Sequence, residues 1–327
     1  MRAAMAAAAP ARLATSPRPW VGAAVGGAGG PTGATDGQAG PHAEVVALGR
    51  AGGAARGATL YVTLEPCSHW GRTPPCVDAV LASGVRRVVV GTVDPDTKVA
   101  GQGIAALRAA GLEVEVGVCR AEVEAQLAPY LHHRRTGRPY VVLKLAASLD
   151  GRTAAPDASS RWITGPEARA DAHLLRASSD AVLVGAGTVR ADDPALTVRD
   201  LPAHVAGWPR RPGPLRVVLG RAPESAAVRP CLELDGPLPG VLDELGRRDV
   251  VQVLVEGGAT VAAAFHRERL VDRYVVYLAP ALFGGDDGAP VFRGPGAASI
   301  SEVWRGRVVA VERLGGDLRV ELAPRPT

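Results

Sequence analysis

Two short segments, H-A-E-V-V-A-L at residues 42–48 and T-L-E-P-C-S-H-W-G-R-T-P-P-C at residues 63–76, predict the chemistry of the first part of the chain. Together they contain one imidazole and two thiols, from His42, Cys67 and Cys76. This ligand set suits zinc and leaves the fourth tetrahedral position open for water. Glu44 lies two residues after the histidine and is free to transfer protons. We therefore expect a metal site with a neighbouring acid/base.

Strand and helix patterns alternate around these segments, which favours an α/β layer with parallel strands. The patterns predict strands at 21–25, 58–64, 86–91 and 113–117, a weaker one within 26–40, and helices at 1–14, 42–52, from Cys76 onward, 101–110 and 120–133. Cys67 then follows a strand, while His42 and Cys76 lie near helix starts. All three ligands are expected at one edge of the sheet.

A charged break at 131–139, L-H-H-R-R-T-G-R-P, places a domain boundary near residue 137. The first domain is then 1–137 and the second 138–327. In the second domain we expect strands at 140–151, 180–184, 215–219, 250–255, 272–278, 301–311 and 317–322, a helix at 165–177, a turn at 185–194 and a polar segment at 221–239. A strand followed by Gly-Gly and a helix at 250–265 favours phosphate binding.

Composition limits the possible functions. The 327 residues are 47% hydrophobic and carry a net charge of +4, spread along the chain, so no basic stripe for nucleic acid is expected. Only Lys98 and Lys144 are lysines among 37 basic residues. No apolar run is long enough to span a membrane. Four cysteines are too few for a disulfide framework, and we expect a reducing, cytoplasmic location.

Residues outside these patterns have simpler interpretations. Cys119 and Cys231 are expected to be core or loop residues, and His132 and His133 to be exposed near a helix end. Lys144 is one of two lysines in a chain that uses arginine almost everywhere else, which indicates a need for a compact charge.

With H-A-E, E-P-C-S-H-W-G-R-T-P-P-C and K-L-A-A-S-L-D-G-R-T-A (144–154) together, the chain resembles the bifunctional riboflavin-biosynthesis deaminase–reductases, the RibD-type family. H-x-E with P-C is typical of zinc deaminases, in which the glutamate is the general acid/base. The eight residues between Cys67 and Cys76 distinguish the pattern from the shorter spacing of cytidine deaminases. W-I-T at 162–164 and A-D-D-P-A-L-T-V-R at 191–199 extend the resemblance into the second domain.

The resemblance implies a cytidine-deaminase-like α/β/α domain followed by a dihydrofolate-reductase-like α/β domain. The first would bind Zn2+ and deaminate a phosphorylated diaminopyrimidinone. The second would use NADPH to reduce the ribosyl group to ribityl. We also expect no nucleic-acid or membrane partner and a homo-oligomer formed through the reductase domain.

Individual positions are carried over from the family. Glu44 is the catalytic residue, and the metal ligands are His42, Cys67 and Cys76. Substrate positions are His69, Arg72, Asp94, Lys144, Ser160, Arg176, Leu196, Arg199 and Glu256. Cofactor positions are Ala146, Trp162, Thr188, Asp192, Arg221, Gly258, Ala259, Thr260, Val261, Ala262, Ala263 and Ala264.

Four departures from the family pattern affect these expectations. Arg18 stands where the family has an asparagine that helps hold the pyrimidine, and a bulky cation there is expected to weaken deamination. The segment 23–40 lacks the usual β-branched hairpin pattern. The segment between 219 and 250 is short, which predicts a missing strand or helix. Arg221 stands where the family has a serine that touches the cofactor, and an arginine there is suited to a 2′-phosphate.

Three alternatives remain open from the sequence. The zinc could be structural, although such sites usually have four protein ligands and only three are found here. The chain could be a reductase whose impaired deaminase domain serves as a scaffold. It could also be a non-enzymatic interaction protein stabilised by zinc.

Overall fold

The computed structural model describes residues 1–27, 29–71 and 73–325. The chain divides into two compact units. Unit 1 contains Met1–Gly137 together with Gly207–Pro212, and unit 2 contains Arg138–Ala206 together with Gly213–Thr327.

Unit 1 contains a five-stranded sheet and seven α-helices among its described residues. The strands are β1 (Gly22–Val25), β2 (Thr32–Ala34), β3 (Thr59–Leu64), β4 (Arg87–Thr92) and β5 (Glu113–Val116). The helices are α1 (Arg2–Ala8), α2 (Arg12–Thr15), α3 (Ala43–Ala51), α4 (Cys76–Ser83), α5 (Gln102–Ala109), α6 (Arg120–Gln126) and α7 (Ala128–Thr136).

The sheet of unit 1 has the strand order β2-β1-β3-β4-β5. Strands β3, β4 and β5 are parallel, whereas β1 pairs antiparallel with both β2 and β3. Leu60, Val62, Val88 and Val90 are fully buried. The parallel part of the sheet therefore has the apolar character expected of strands covered on both faces.

The weak hairpin pattern at 23–40 has a packing reason. Strands β1 and β2 do pair, with Gly22 opposite Ala34. A Cβ atom at Gly33 would lie 2.5 Å from the backbone nitrogen of Ala47 in α3. Small residues replace β-branched ones because the helix backbone lies directly against this strand.

Unit 2 contains an eight-stranded sheet with the strand order β10-β9-β8-β11-β6-β12-β15-β14. Its strands are β6 (Tyr140–Ser148), β8 (Ala181–Gly185), β9 (Leu215–Leu219), β10 (Leu232–Leu234), β11 (Gln252–Val255), β12 (Arg273–Ala279), β14 (Arg307–Leu314) and β15 (Asp317–Ala323). A small separate pair joins β7 (Arg152–Ala154) to β13 (Ala289–Pro290). Strand β15 runs antiparallel to both of its neighbours, β12 and β14, and the other neighbouring strands of this sheet are parallel.

The helices of unit 2 cover both faces of this sheet. They are α8 (Pro166–Ser178), α9 (Ala186–Asp192), α10 (Leu238–Arg247) and α11 (Ala259–Arg267). Leu143 of β6 packs in one apolar cluster with residues of α10 and α11. The adjacent Val142 packs in a second cluster with residues of α8 and α9. Successive residues of β6 thus point to opposite sides, as the pleat requires.

Several expectations about individual elements were wrong. Residues 186–192, expected as a turn, form helix α9 because Val189 packs into the core. The segment between 219 and 250, where a strand or helix was expected to be missing, contains β10 and α10. The strand expected at 301–311 begins only at Arg307, and β7 and β13 were not expected.

Two helices expected in unit 1 are each interrupted. The helix expected at 120–133 is divided at Leu127 into α6 and α7, and the helix expected at 1–14 is interrupted around Pro10. His133 is buried and His132 is half-buried in α7, so neither is an exposed helix-end residue.

Among the described residues, no helix is both long and apolar enough to cross a membrane.

Candidate active sites

The three expected metal ligands come from the ends of three elements. His42 is the N-cap residue of α3, and its backbone is extended (φ −75°, ψ 161°). Cys67 lies in the loop after β3, and Cys76 is the first residue of α4. The backbone N–H of Cys76 donates to Sγ of Cys67 (3.4 Å), which ties the second helix start to the strand end.

The ligand atoms converge on one point. Nδ1 of His42 lies 3.0 Å from Sγ of Cys76 and 3.6 Å from Sγ of Cys67. All three ligand atoms lie within 4.8 Å of one another. A tetrahedral zinc ion with Zn–S bonds of about 2.3 Å and Zn–N bonds of about 2.0 Å separates such atoms by about 3.5 Å. The residues therefore fit a zinc ion with one open position.

The protonation of the sulfurs supports the same assignment. A hydrogen bond from the Cys76 thiol, assisted by His42, lowers the pKa of Cys67 to about 4. The same hydrogen bond and burial raise the pKa of Cys76. The two sulfurs thus share one proton, and a divalent cation at this point would replace it, as metal binding to thiols generally does.

Glu44 lies in the first turn of α3 and is 3% exposed. Burial raises the pKa of its carboxyl group, and the neighbouring His42 opposes part of this rise. A carboxyl group whose pKa is moved toward neutrality can both accept and return a proton near neutral pH. The geometry places this group beside the ligands without making it one of them.

Two further side chains fix the His42 region. The hydroxyl group of Thr73 lies 3.3 Å from Nε2 of His42, on the side of the ring that faces away from the sulfurs. Arg18 donates from its guanidinium group to the carbonyl of Gly40 (3.1 Å), with a longer contact to Gly37 (3.5 Å). The cation thus binds the backbone of the loop that leads into His42.

The other expected residues of unit 1 have different surroundings. Asp94 is buried, and both of its carboxylate oxygens accept from the hydroxyl group of Tyr130 at 3.1 and 3.2 Å. His69 is half-buried in the loop between the two cysteines. Arg72 lies outside the described residues.

A second cluster of charged residues lies in unit 2. Arg176 of α8 and Glu256, which follows β11, form a bidentate ion pair with distances of 2.5 and 2.9 Å. Burial raises the pKa of Glu256, but the hydrogen bonds and charge of Arg176 lower it more, so the net direction is downward. Lys144 of β6 is close enough to contribute to this lowering. Burial in turn lowers the pKa of Lys144.

The segment that contains Leu196 and Arg199 is held against this cluster by α8. Arg176 donates to the carbonyl of Thr197 (3.1 Å), and the backbone N–H of Arg199 donates to Nδ1 of His173 (3.3 Å). Leu196 is buried and has a positive φ of 50°, which is unusual for a residue with a side chain. Arg199 and Ser160 are exposed.

Two groups of expected cofactor residues are brought together. The backbone N–H of Gly258, the N-cap residue of α11, donates to the hydroxyl group of Thr188 in α9 (3.2 Å). The helix start in Gly258–Ala264 offers backbone N–H groups that suit a phosphate. The residues present therefore fit a phosphorylated dinucleotide.

The remaining cofactor positions lie in separate parts of unit 2. Trp162 is 68% exposed, and the guanidinium group of Arg169 lies 4.7 Å from its ring centre. Ala146 is in β6 and Asp192 ends α9. Arg221, after β9, has an 81% exposed side chain whose guanidinium group contacts Glu233 at 3.1 Å.

Sequence reasoning did not identify Thr73, Tyr130 and His173, or Glu65, whose buried side chain accepts from the backbone N–H groups of Asp94 and Gly101. Glu65 and Thr73 stand inside the quoted zinc segment, so their position was the available indication. Tyr130 and His173 lie far along the chain from Asp94 and Arg199, and only the fold brings them together.

A His/Cys/Cys ligand set beside a buried glutamate defines a zinc-dependent deaminase domain, here joined in one chain to a second α/β unit. The model of the cytidine and deoxycytidylate deaminase zinc-binding region matches residues 1–92, and the model of the RibD C-terminal domain matches residues 139–320. The chain belongs to the RibD family of bifunctional riboflavin-biosynthesis enzymes, with deaminase and reductase activities and with zinc and NADPH as cofactors.

Individual relatives agree with this assignment over nearly the whole length. The chain is 44% identical to riboflavin biosynthesis protein RibD of Mycobacterium tuberculosis over 323 residues, covering 95% of this chain and 92% of the relative. It is 40% identical to the Escherichia coli RibD protein, with 86% of each chain covered.

Solved structures give the same result. RibD of Acinetobacter baumannii superimposes with a TM-score of 0.89 at 37% identity, covering 99% of this chain and 98% of that chain. A diaminohydroxyphosphoribosylaminopyrimidine deaminase/5-amino-6-(5-phosphoribosylamino)uracil reductase of Thermotoga maritima gives a TM-score of 0.86 at 34% identity, covering 99% and 97%. Matches to both domains favour a two-activity enzyme over a non-enzymatic zinc-stabilised protein.

Proposed function

We propose that this chain catalyses two successive steps of riboflavin biosynthesis. Unit 1 hydrolytically deaminates 2,5-diamino-6-(5-phosphoribosylamino)pyrimidin-4-one. Unit 2 then uses NADPH to reduce the ribosyl side chain of the deaminated product to ribityl. The observation that carries the proposal is the convergence of His42, Cys67 and Cys76 next to the buried Glu44.

In the deamination, the protein residues bind the metal and move protons. His42, Cys67 and Cys76 would hold the zinc ion, which when bound would lower the pKa of a water molecule to about 7. Glu44 would take a first proton from the attacking water and give it to the ring nitrogen, then take the second proton from the hydroxyl group added to the ring and give it to the amino group, which leaves as ammonia. Its raised pKa suits both halves of this transfer. Thr73 holds the ring of His42 so that Nδ1 keeps facing the sulfurs.

Recognition of the first substrate involves residues around this centre. We assign His69 and Asp94 to contacts with the pyrimidine and Arg72 to the phosphate group. A carboxylate can accept from the exocyclic amino groups of a diaminopyrimidinone, and a guanidinium group suits a phosphate. The contacts of Asp94 with Tyr130 fix the orientation in which its carboxylate is offered.

In the reduction, unit 2 holds a phosphorylated sugar beside the nicotinamide. NADPH supplies the hydride when it is bound. We assign its phosphates to Thr188 and the start of α11 at Gly258–Ala264, with Ala146, Trp162, Asp192 and Arg221 as further contacts. Lys144, Ser160, Arg176, Leu196, Arg199 and Glu256 are assigned to the substrate. Glu256 neutralises part of the positive charge of this group and orients the guanidinium group of Arg176.

We also propose that copies of the chain associate through the reductase unit. Strand β14 is at the edge of the eight-stranded sheet, and its Val308 and Val311 are 62% and 59% exposed. An apolar edge strand favours pairing with a second copy. A monomer mass by light scattering at high protein concentration would contradict this proposal.

The cysteines at the zinc site form no disulfide, which favours a reducing compartment, and we place the reaction in the cytoplasm.

The two activities are tested in one coupled assay that follows ammonia release and NADPH oxidation. The wild-type chain is expected to do both, and Glu44→Gln is expected to lose ammonia release by about a thousandfold or more while it keeps zinc and reduces the pre-deaminated substrate normally. Zinc-loaded wild-type protein that reduces this substrate but releases no ammonia would instead support a reductase with an impaired deaminase domain. No NADPH oxidation with either substrate would contradict the reductase assignment.

A further inference from the structure

Glu65 is a buried carboxylate that neither the metal site nor the proton transfer uses. It follows β3, stands two residues before Cys67 and is 4% exposed. Its side chain accepts hydrogen bonds from three backbone N–H groups. Oε2 accepts from Gly101 (2.9 Å) and Asp94 (3.3 Å), and Oε1 accepts from Ile104 (3.2 Å).

All three donors belong to one segment, residues 94–104, which begins with Asp94 and includes the start of α5. This segment also packs directly on the backbone beside Glu65. A Cβ atom at Gly103 would lie 1.9 Å from the carbonyl oxygen of Pro66. Three consecutive residues, 65–67, thus supply both a metal ligand and the anchor of the segment that contains Asp94.

The anchor uses both side-chain oxygens of Glu65 as hydrogen-bond acceptors. Each oxygen satisfies backbone N–H groups that would otherwise lack a partner away from water. Glutamine at this position has nearly the same shape but only one acceptor oxygen. Its amide NH2 would face one set of backbone donors, leaving buried N–H groups without an acceptor.

We propose that Glu65 is a positioning residue for the deamination: it fixes the backbone of Asp94 relative to the Cys67 loop, so that the Asp94 carboxylate meets the pyrimidine held at the metal. The inference rests on the proposed function, in which Asp94 contacts the substrate. Tyr130 fixes the side chain of Asp94 from one direction, and Glu65 fixes its backbone from the other.

A double-mutant cycle tests this role in the full, zinc-loaded chain. The variants are Glu65→Gln, Asp94→Asn and the double variant, with Glu122→Gln of α6, an exposed glutamate, as the matched control. Glu65→Gln is expected to raise the KM for the diaminopyrimidinone by roughly tenfold, which corresponds to the loss of one or two buried hydrogen bonds. Zinc content and NADPH-dependent reduction by the same chain are expected to stay unchanged.

The double variant distinguishes positioning from general damage. If Glu65 acts through Asp94, the KM of the double variant equals that of Asp94→Asn within about twofold, because contacting residues are not additive. The role of Glu65 would be overturned if the two single effects on KM multiply in the double variant. It would also be overturned if Glu65→Gln loses zinc but has a normal KM once zinc is restored. If Glu65→Gln does not fold, Glu65→Asp enters the same cycle with the same expectation. A normal KM for Asp94→Asn would contradict the proposed substrate contact, and with it this inference.

Discussion

Arg176 and Glu256 form a bidentate ion pair in unit 2 in which the side chains are only 16% and 8% exposed. Arg138 and Asp243 form a pair of the same kind in the same unit, with distances of 2.6 and 3.1 Å, but their side chains are 38% and 43% exposed. The two pairs therefore have similar geometry in different dielectric surroundings. Their comparison separates the effect of burial from that of hydrogen-bond geometry.

Replacing Glu256 with glutamine is expected to destabilise unit 2 by about 3 kcal/mol, because it leaves the buried guanidinium group of Arg176 without its counter-charge. Asp243→Asn removes the same charge from the exposed pair and is expected to cost much less stability, because solvent screens this pair. Urea unfolding monitored by circular dichroism measures both values. Equal losses in the two variants would mean that burial does not determine the contribution of the pair.

The ionised carboxylate of Asp94, assigned to the active site, is expected to lower the free energy of unfolding at neutral pH. Burial raises the pKa of this carboxyl group to about 6, and the charges of Asp96 and Glu65 act in the same direction, while the N–H of Asp96 and the Tyr130 hydroxyl oppose them. A raised folded-state pKa means that the folded chain binds the proton more tightly than the unfolded chain. The stability from this proton is complete below about pH 4 and is lost as the pH rises through about 6.

Asp94→Asn should therefore be more stable than the wild type at pH 8, by on the order of 2 kcal/mol, and about equal to it at pH 4. Thermal unfolding of both proteins across this pH range measures the difference. A constant difference between the two proteins, or a less stable variant at pH 8, would show that the ionised carboxylate carries no such cost.

The sequence predicted that His42, Cys67 and Cys76 lie close together, because these residues stand at points that local patterns define. Cys67 follows an apolar strand, and His42 and Cys76 stand at helix starts, so the alternation of strands and helices predicts all three at one edge of the sheet. Helix α10 could have been found in the same way. Leu238, Leu242 and Leu245 have helical spacing and are buried, but the surrounding prolines suggested a loop.

Other features depend on contacts between distant segments and leave little trace in the sequence. The contacts of Glu65 with Gly101 and of His173 with Arg199 arise only once the sheet has formed. Helix α9 was expected as a turn because of its glycines and aspartates. Its position is fixed by the burial of Val189, a case in which tertiary packing overrides local preference.

Arg221 is expected to recognise the 2′-phosphate that distinguishes NADPH from NADH. Its guanidinium group is exposed at the end of β9, and Glu233, which it contacts, also binds Arg229 (2.7 Å) and thus remains paired when Arg221 is removed. Arg221→Ala should raise the KM for NADPH by roughly tenfold or more and leave the KM for NADH nearly unchanged. Arg247→Ala, which removes an exposed arginine of α10, is the control. Equal effects of Arg221→Ala on both cofactors would exclude this role.

Replacing Arg18 distinguishes two opposite expectations for the rate of deamination. A cation in place of the family's asparagine was expected to weaken deamination, but its guanidinium group donates to the carbonyls of Gly40 and Gly37, just before His42. If this contact holds the loop, Arg18→Ala should lower the kcat/KM of ammonia release by roughly tenfold, as the loss of a charge-assisted hydrogen bond predicts, and Arg18→Lys should retain part of it. NADPH oxidation by the same variants serves as the internal control. Faster ammonia release by Arg18→Ala would instead mean that the cation hinders the pyrimidine.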